Sequence, residues 1–531
     1  MTNPLLLDWT ADFGLPPFQN ITETQFAPAF DAALDAARAQ ITEIAEADED
    51  PTFANTIDAL ERADETLSRV ASVFFTLVST DATPALEACQ RDISPRLAAY
   101  SSEITMDRIE ALWTARETLD LTDEQARVLM LTRRGFVRSG AKLEGADRDR
   151  LKEITQRLAV IGTQFAQNLL SDERSWSMAL GAKAFDALPD FLQSAAEAAG
   201  RERNAGGPVV TLSRSLIVPF LQFCPDRELR KSAWQAWASR GANGGETDNR
   251  QIAAETLRLR AERAALLGYD SFADFKLDVE MAKPPEAVQG LLMEVWEPAR
   301  AAALADADRL PEMLQADGGI GKPDHWDWRY YAEKRRAAEH DLNEAELKPY
   351  FQLDRMIEAV FSCANRLFGL TATPVDVPLH HAEARAWEIT RNGKHIAIFI
   401  GDYFARGSKR SGAWCSALRQ QSKSNGDVRP IVLNVCNFAK PPKGKPALLS
   451  YDDARTLFHE FGHALHQMLS DVTYERVSGT SVPRDFVELP SQLYEHWLDV
   501  PEVLREFATH ADTGKAIPHA LLDRLLAAST Y

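Results

Sequence analysis

A mainly α-helical fold with one small β-sheet is predicted by two features of this sequence. Apolar residues recur at helical spacing over most of the chain, and only the stretch 385–438 alternates in the manner of strands. A third feature places the chemistry. The segment His459-Glu460-Phe461-Gly462-His463 lies in an apolar helical run just after the strand-rich stretch, so the sheet is expected beside that helix.

The elements follow in order. Residues 22–200 read as long amphipathic helices. In Ala29–Ile41, for example, Phe30, Ala33, Leu34, Ala37 and Ile41 share one face. Similar patterns run near 56–80, 86–105, 145–170 and 190–202. Gly206-Gly207-Pro208 and Cys224-Pro225-Asp226 mark a change of texture. This divides an N-terminal helical region, 1–205, from a region 206–531 that carries the chemistry. Helices resume at Arg227–Ala242 and Asp248–Leu267, and Trp326 opens another after the loop Asp317–Pro323. Ile396, Ile398 and Ile400 alternate with Ala397, Phe399 and Gly401, next to the turn signal Asn392-Gly393. Ile431–Cys436 is rich in β-branched residues. No short repeat period is present.

The helix of 450–469 has both a start signal and a purpose. Ser450 is placed to N-cap it, with Asp453 three residues on as the reciprocal acid. Leu457, Phe458, Phe461, Ala464, Leu465 and Met468 cover most of its circumference, which predicts burial. His459 and His463, four apart, share one face and can aim two imidazoles at one ion. Glu460 sits one step round, within reach of a metal-bound water. Ligands, water and carboxylate base are what a zinc hydrolase needs. The bland alternative, a solvated helix with two surface histidines, fits the apolar surroundings poorly. Gly462 costs about 1 kcal/mol in a helix interior, which suggests that another segment approaches there.

A third ligand is expected from an acid further along. The pattern with a third His six residues after His463 fails, because Leu469 stands there. Asp471 is too near, Glu475 lies in a polar connection, and Asp485 is read as the cap of a second helix running 485–497. Glu488 then falls in the first turn among Phe486, Val487 and Leu489, where a carboxylate most needs a cation, and is favoured. Glu495, two turns on along the same face, is expected to stand behind the ligands.

These residues resemble the thimet-oligopeptidase family of zinc peptidases. The likeness rests on His459–His466 and Ser478–Gln492, with further matching stretches at Leu347–Phe351, Tyr403–Trp414 and Asn434–Phe438. Gly401–Arg406, Val482–Phe486 and Glu495–Trp497 most resemble the bacterial peptidyl-dipeptidase branch. The likeness extends from Asn3 to Tyr531. It implies an elongated, two-lobed helical zincin whose lobes flank a deep substrate channel with zinc on its floor. It also implies one Zn²⁺ per chain held by His459, His463 and Glu488, with Glu460 as general base. The implied activity is hydrolysis of short peptides with release of C-terminal dipeptides, and internal cleavage in the manner of oligopeptidase A is the alternative. Family members continue well past the point matching Tyr531, into a Tyr-rich stretch that touches substrate. A zinc-binding fragment with little activity is therefore a further alternative. The face formed by Leu521, Leu522, Leu525 and Leu526 is expected to lack a partner without that stretch.

Composition bounds the rest. With 59 basic and 78 acidic side chains the net charge is −19, which argues against nucleic acid as a partner. No apolar run is long enough to cross a membrane, and the N-terminus lacks a basic, apolar leader. Five scattered cysteines without a CxxC pair suit a reducing cytoplasm. A monomer acting on short peptides is expected. His466 is read as packing or support, His380-His381 as a loop, and Trp326 and Trp328 as core or surface. Arg406, Lys409 and Arg410 are read as a solvated turn or as receivers of a peptide carboxylate.

Overall fold

A computed structural model describes residues 3–100, 107–441 and 443–528. Helices dominate, as the periodicity predicts. The first long one, Phe26–Glu46, buries Phe26, Phe30, Ala33 and Leu34. It packs with Glu65–Thr80 and Pro84–Tyr100 around Phe74, whose ring meets Phe26 and Phe30 at 5.1 and 5.2 Å. The stretch 56–80 is not one helix. It breaks at Asp64, and a π-turn over Phe53–Asp58 opens it. The end of the 86–105 pattern, at 101–106, lies outside the described residues. Gly145–Ser175, Asp190–Glu202, Arg227–Ala238, Arg250–Leu266 and His325–His340 follow close to expectation. A two-stranded ribbon, β1 (Ser177–Ala179) and β2 (Val209–Thr211), falls at the change of texture.

The main sheet has five strands: β3 (Leu370–Val375), β4 (Arg385–Arg391), β5 (Lys394–Phe404), β6 (Trp414–Arg419) and β7 (Ile431–Phe438). Their order is β3-β4-β5-β7-β6, antiparallel except for the parallel pair β5–β7. Asn392 and Gly393 both have positive φ, 51° and 73°, as a tight β4–β5 hairpin requires. β5 is the middle strand and is buried on both faces from Ala397 to Tyr403, so its alternation hides two cores. One face carries the large core shared with the helix Tyr451–Met468, through Phe399, Phe458 and Phe461. The other carries Ile398, Ile400, Leu433 and Val435, packed on Leu15 near the N-terminus.

A buried ionic joint ties the N-terminal helices to this sheet, and it corrects two expectations. Arg406 and Lys409 do not form a solvated turn, nor do they face a peptide. Both are buried around the fully buried Asp402. Arg406 donates to both carboxylate oxygens at 2.9 and 2.6 Å, and Lys409 Nζ to Oδ1 at 2.9 Å. His380 does lie in a loop, and it brings Nε2 to 3.0 Å from Oδ2. Arg406 Nε donates to Thr80 O, Arg410 N to Ser79 O and Ala82 N to Ser408 O, which clamps the end of the Glu65–Thr80 helix. Burial alone would raise the Asp402 carboxyl. The bonds from His380 and Arg406 outweigh it and hold the group far below the usual carboxylate range.

The C-terminal expectation is also corrected. In His519–Ala528, Leu521, Leu522 and Leu525 are buried in the chain's own main core, which supplies the partner. Tyr531 lies outside the described residues. Among the described residues an exposed apolar surface is found on Pro285–Ala307, a helix that buries none of its residues and exposes Leu291, Leu292, Val295 and Trp296. Among the described residues no helix is long and apolar enough to cross a membrane.

Candidate active site

The site is built on Tyr451–Met468. Ser450 caps it as read from sequence: Asp453 N donates to Ser450 Oγ and Ser450 N to the Asp453 carboxylate, both at 3.0 Å. The helix is wedged between the sheet and a short helix, Leu489–Glu495. Gly462 makes the second contact possible. A Cβ there would stand 2.6 Å from Ser491 Cα and 2.9 Å from Pro490 O. The expected close approach is therefore real, and the approaching segment is the one that carries the candidate third ligand.

That segment departs from the expected helix over 485–497. The helix begins at Leu489, because Pro490 fits only in the first turn, and Glu488 takes the N-cap position. Asp485 caps nothing here. Its carboxylate accepts from Met281 N and Ala282 N at 3.0 and 2.9 Å, latching the preceding turn to the 280–282 loop. Glu488 is not sunk among apolar residues either: its side chain is 50% exposed. It reaches the histidines from the open side. Ser491 steadies it, with Oγ 2.8 Å from Glu488 O and 3.0 Å from Oε2. Tyr494 anchors the short helix by donating its buried hydroxyl to Val360 O at 2.7 Å. Neither residue was singled out from sequence. Ser491, three residues after Glu488, had the spacing to be found.

His459, His463 and Glu488 converge. Glu488 Oε2 lies 3.2 Å from His459 Nε2 and 3.0 Å from His463 Nε2, and one ligand atom from each residue falls within 4.8 Å of the others. Bonds of about 2.0–2.1 Å in a tetrahedron would set donors about 3.3 Å apart, so two edges already match a zinc site. The donor set, two imidazoles and a carboxylate, fits that ion. Glu495 stands behind His459, with Oε1 2.6 Å from Nδ1. This bond makes Nδ1 the protonated nitrogen and leaves Nε2 free to ligate. Glu475 and Asp471 are elsewhere, and Asp471 pairs with Lys423 at 2.6 Å. His466 packs its ring against Phe486 at 6.4 Å and does not join the cluster.

Glu460 is buried beside the ligands, and its Oε2 has no hydrogen-bond partner. Burial pushes its carboxyl up to about 7, opposed by His459 and assisted by Glu488. Burial also lowers His463 and favours the neutral ring that a metal requires. An unpartnered buried carboxylate next to three convergent donors is the arrangement of a base awaiting a polarised water.

A cavity of about 1080 Å³ lies between the helices Asp123–Arg138 and Arg250–Leu266 and the segment Ser481–Arg484, which runs on to Glu488. His459, Glu460, His463 and Glu488 are not among the residues that line it.

Known proteins bear on this geometry. The family model described as "Peptidase family M3" matches residues 220–531. The chain is 37% identical over 539 residues to dipeptidyl carboxypeptidase of Escherichia coli (strain K12), which spans 100% of this chain and 79% of that protein. The same figures of 37%, 100% and 79% hold over 540 residues for the dipeptidyl carboxypeptidase of Salmonella typhimurium. Oligopeptidase A of Salmonella typhimurium is 33% identical over 548 residues, covering 100% of this chain and 80% of its own. With similarity along its whole length, the chain belongs to peptidase family M3 and is a metallopeptidase.

Proposed function

We propose that this chain is a zinc-dependent peptidase that removes dipeptides from the free C-termini of short peptides. The convergence of His459, His463 and Glu488 beside an unpartnered Glu460 carries the chemical part of this reading. The cleavage mode follows the 37% identity to proteins named dipeptidyl carboxypeptidase. We assign one Zn²⁺ per chain to the three ligands. When bound, the ion supplies Lewis acidity to a water and to the scissile carbonyl. Glu495 fixes the His459 tautomer and Ser491 fixes the Glu488 rotamer. Glu460 accepts the proton of the attacking water and returns it to the leaving amine. We further assign residues 206–531 to the catalytic region and 1–205 to an N-terminal helical region. The protein is read as a cytoplasmic monomer, in keeping with five unpaired thiols.

A matched peptide pair tests the mode. One peptide ends in a free carboxylate and the other in an amide, and products are read by mass. Successive loss of dipeptides from the free acid is expected, with slow cleavage of the amide. Rapid internal cleavage of the amide would replace this reading with the endopeptidase mode of oligopeptidase A.

A further inference from the structure

The cavity beside the Ser481–Arg484 segment has a wall of guanidinium groups with too few acids to match. Arg127, Arg134 and Arg138 are spaced by seven and four residues, so they share one face of Asp123–Arg138. Arg260 and Arg263, three apart, come from the facing helix Arg250–Leu266. Arg138 is compensated: it bonds to Asp278 Oδ2 and Tyr269 Oη at 3.2 Å and to Phe275 O at 2.6 Å. Arg134 and Arg263 have no such bonds, although Arg263 lies over the Phe275 ring at 5.1 Å. Neither has an ion pair or a hydrogen bond among the described residues, and the Nε of Arg263 is buried without a partner. Burial lowers both guanidinium pKa values, and like charge lowers them further, from Arg127, Arg138 and Arg476 at Arg134, where Asp278 opposes it, and from Arg138 at Arg263. Both remain charged near neutrality. Partly buried cations without counterions are costly, and an incoming carboxylate would satisfy their forked donors.

We propose that this arginine wall is a carboxylate subsite, at which Arg134 and Arg263 hold the carboxylate of a bound peptide whose chain runs along Ser481–Arg484 toward Glu488. The inference rests on the peptidase reading and adds the element that selects substrates. A polyanion is excluded, because Glu61, Asp64, Glu65, Glu280 and Glu475 line the same cavity and the whole chain carries −19. The carboxylate can come from the peptide C-terminus or from an Asp or Glu side chain.

Binding rather than turnover separates this proposal from the peptidase reading. In a Glu460→Gln background, which leaves peptides uncut, three hexapeptides are titrated: a free acid, its C-terminal amide, and the amide with one internal Asp. The free acid is expected to bind at least tenfold more tightly than the plain amide. Arg134→Gln and Arg263→Gln should each shrink that ratio toward one, and Arg134→Lys should keep part of it. A gain for the Asp-containing amide equal to that of the free acid would assign the side chain as the carboxylate source. Unchanged ratios in both Gln variants, with unaltered melting, would overturn the proposal. A protein that discriminates in binding but cuts no peptide would defeat the peptidase reading and leave the subsite standing.

Discussion

Gly462→Ala should damage the metal site without touching a ligand. The added Cβ would sit 2.6 Å from Ser491 Cα and 2.9 Å from both Pro490 O and Tyr494 Cβ. Carbon atoms rest about 3.5–4.0 Å apart, so the overlap is about 1 Å. Two of the three obstacles are backbone, and the third is a Cβ anchored by the Tyr494 hydroxyl on Val360 O. The clash is therefore relieved by moving the Leu489–Glu495 helix as a unit. Overpacking of this kind costs about 1–3 kcal/mol, and Ala returns about 1 kcal/mol of helix propensity. A net loss of about 0–2 kcal/mol is expected in the metal-free protein. The larger effect falls on zinc. Glu488 is joined directly to the displaced helix, and a ligand must hold its place within about 0.5 Å. Zinc affinity should fall about 10–100-fold, the range seen when support for a ligand is lost. Chelator competition measures the affinity, and melting with and without zinc separates the two terms. A variant with wild-type affinity and melting would refute the claim that this contact positions Glu488.

Two further substitutions probe neighbouring parts. Glu495→Gln removes the carboxylate from His459 Nδ1 and should weaken zinc binding about 10–100-fold with little change in metal-free melting; chelator competition again decides. Asp402→Asn should destabilise the folded protein by about 3–5 kcal/mol, because Arg406 and Lys409 are left buried without their counterion. Denaturant titration measures that loss. The sign of the pH effect follows from the lowered Asp402 carboxyl: its contribution is complete above the unfolded pKa of about 3.9 and is lost as pH falls from there toward the folded value.

What the sequence makes legible is local. The capping pair Ser450 and Asp453, the apolar circumference of the following helix and the i, i+4 histidines are all encoded within a few turns, and the structure follows them. Gly462 announces a close approach because glycine in a buried helix has few other uses. Glu488 lies beside the two histidines, but it is not held among apolar neighbours. Pro490 starts the helix four residues later than expected, and the carboxylate reaches the site from solvent. The features that escaped depend on distant pairings. His380 and Arg406 lie in loops, and only the placement of Asp402 at the end of β5 shows that their side chains are paired. The leucines of 519–528 looked unpartnered because their cover comes from the core of distant helices and strands. The arginine wall joins two helices more than a hundred residues apart, and hydrophobic periodicity carries no sign of it.

Metal content tests the central claim most directly. Zinc is measured by atomic emission in the wild-type protein and in His459→Ala, His463→Ala, Glu488→Ala and Glu460→Gln after identical purification, alongside hydrolysis of a short peptide. The account predicts one zinc per wild-type chain, loss of zinc in the three ligand variants, and full zinc in Glu460→Gln with hydrolysis lowered by at least about 10²–10⁴-fold. A Glu488→Ala protein that keeps its zinc, or a Glu460→Gln protein that keeps its activity, would contradict it.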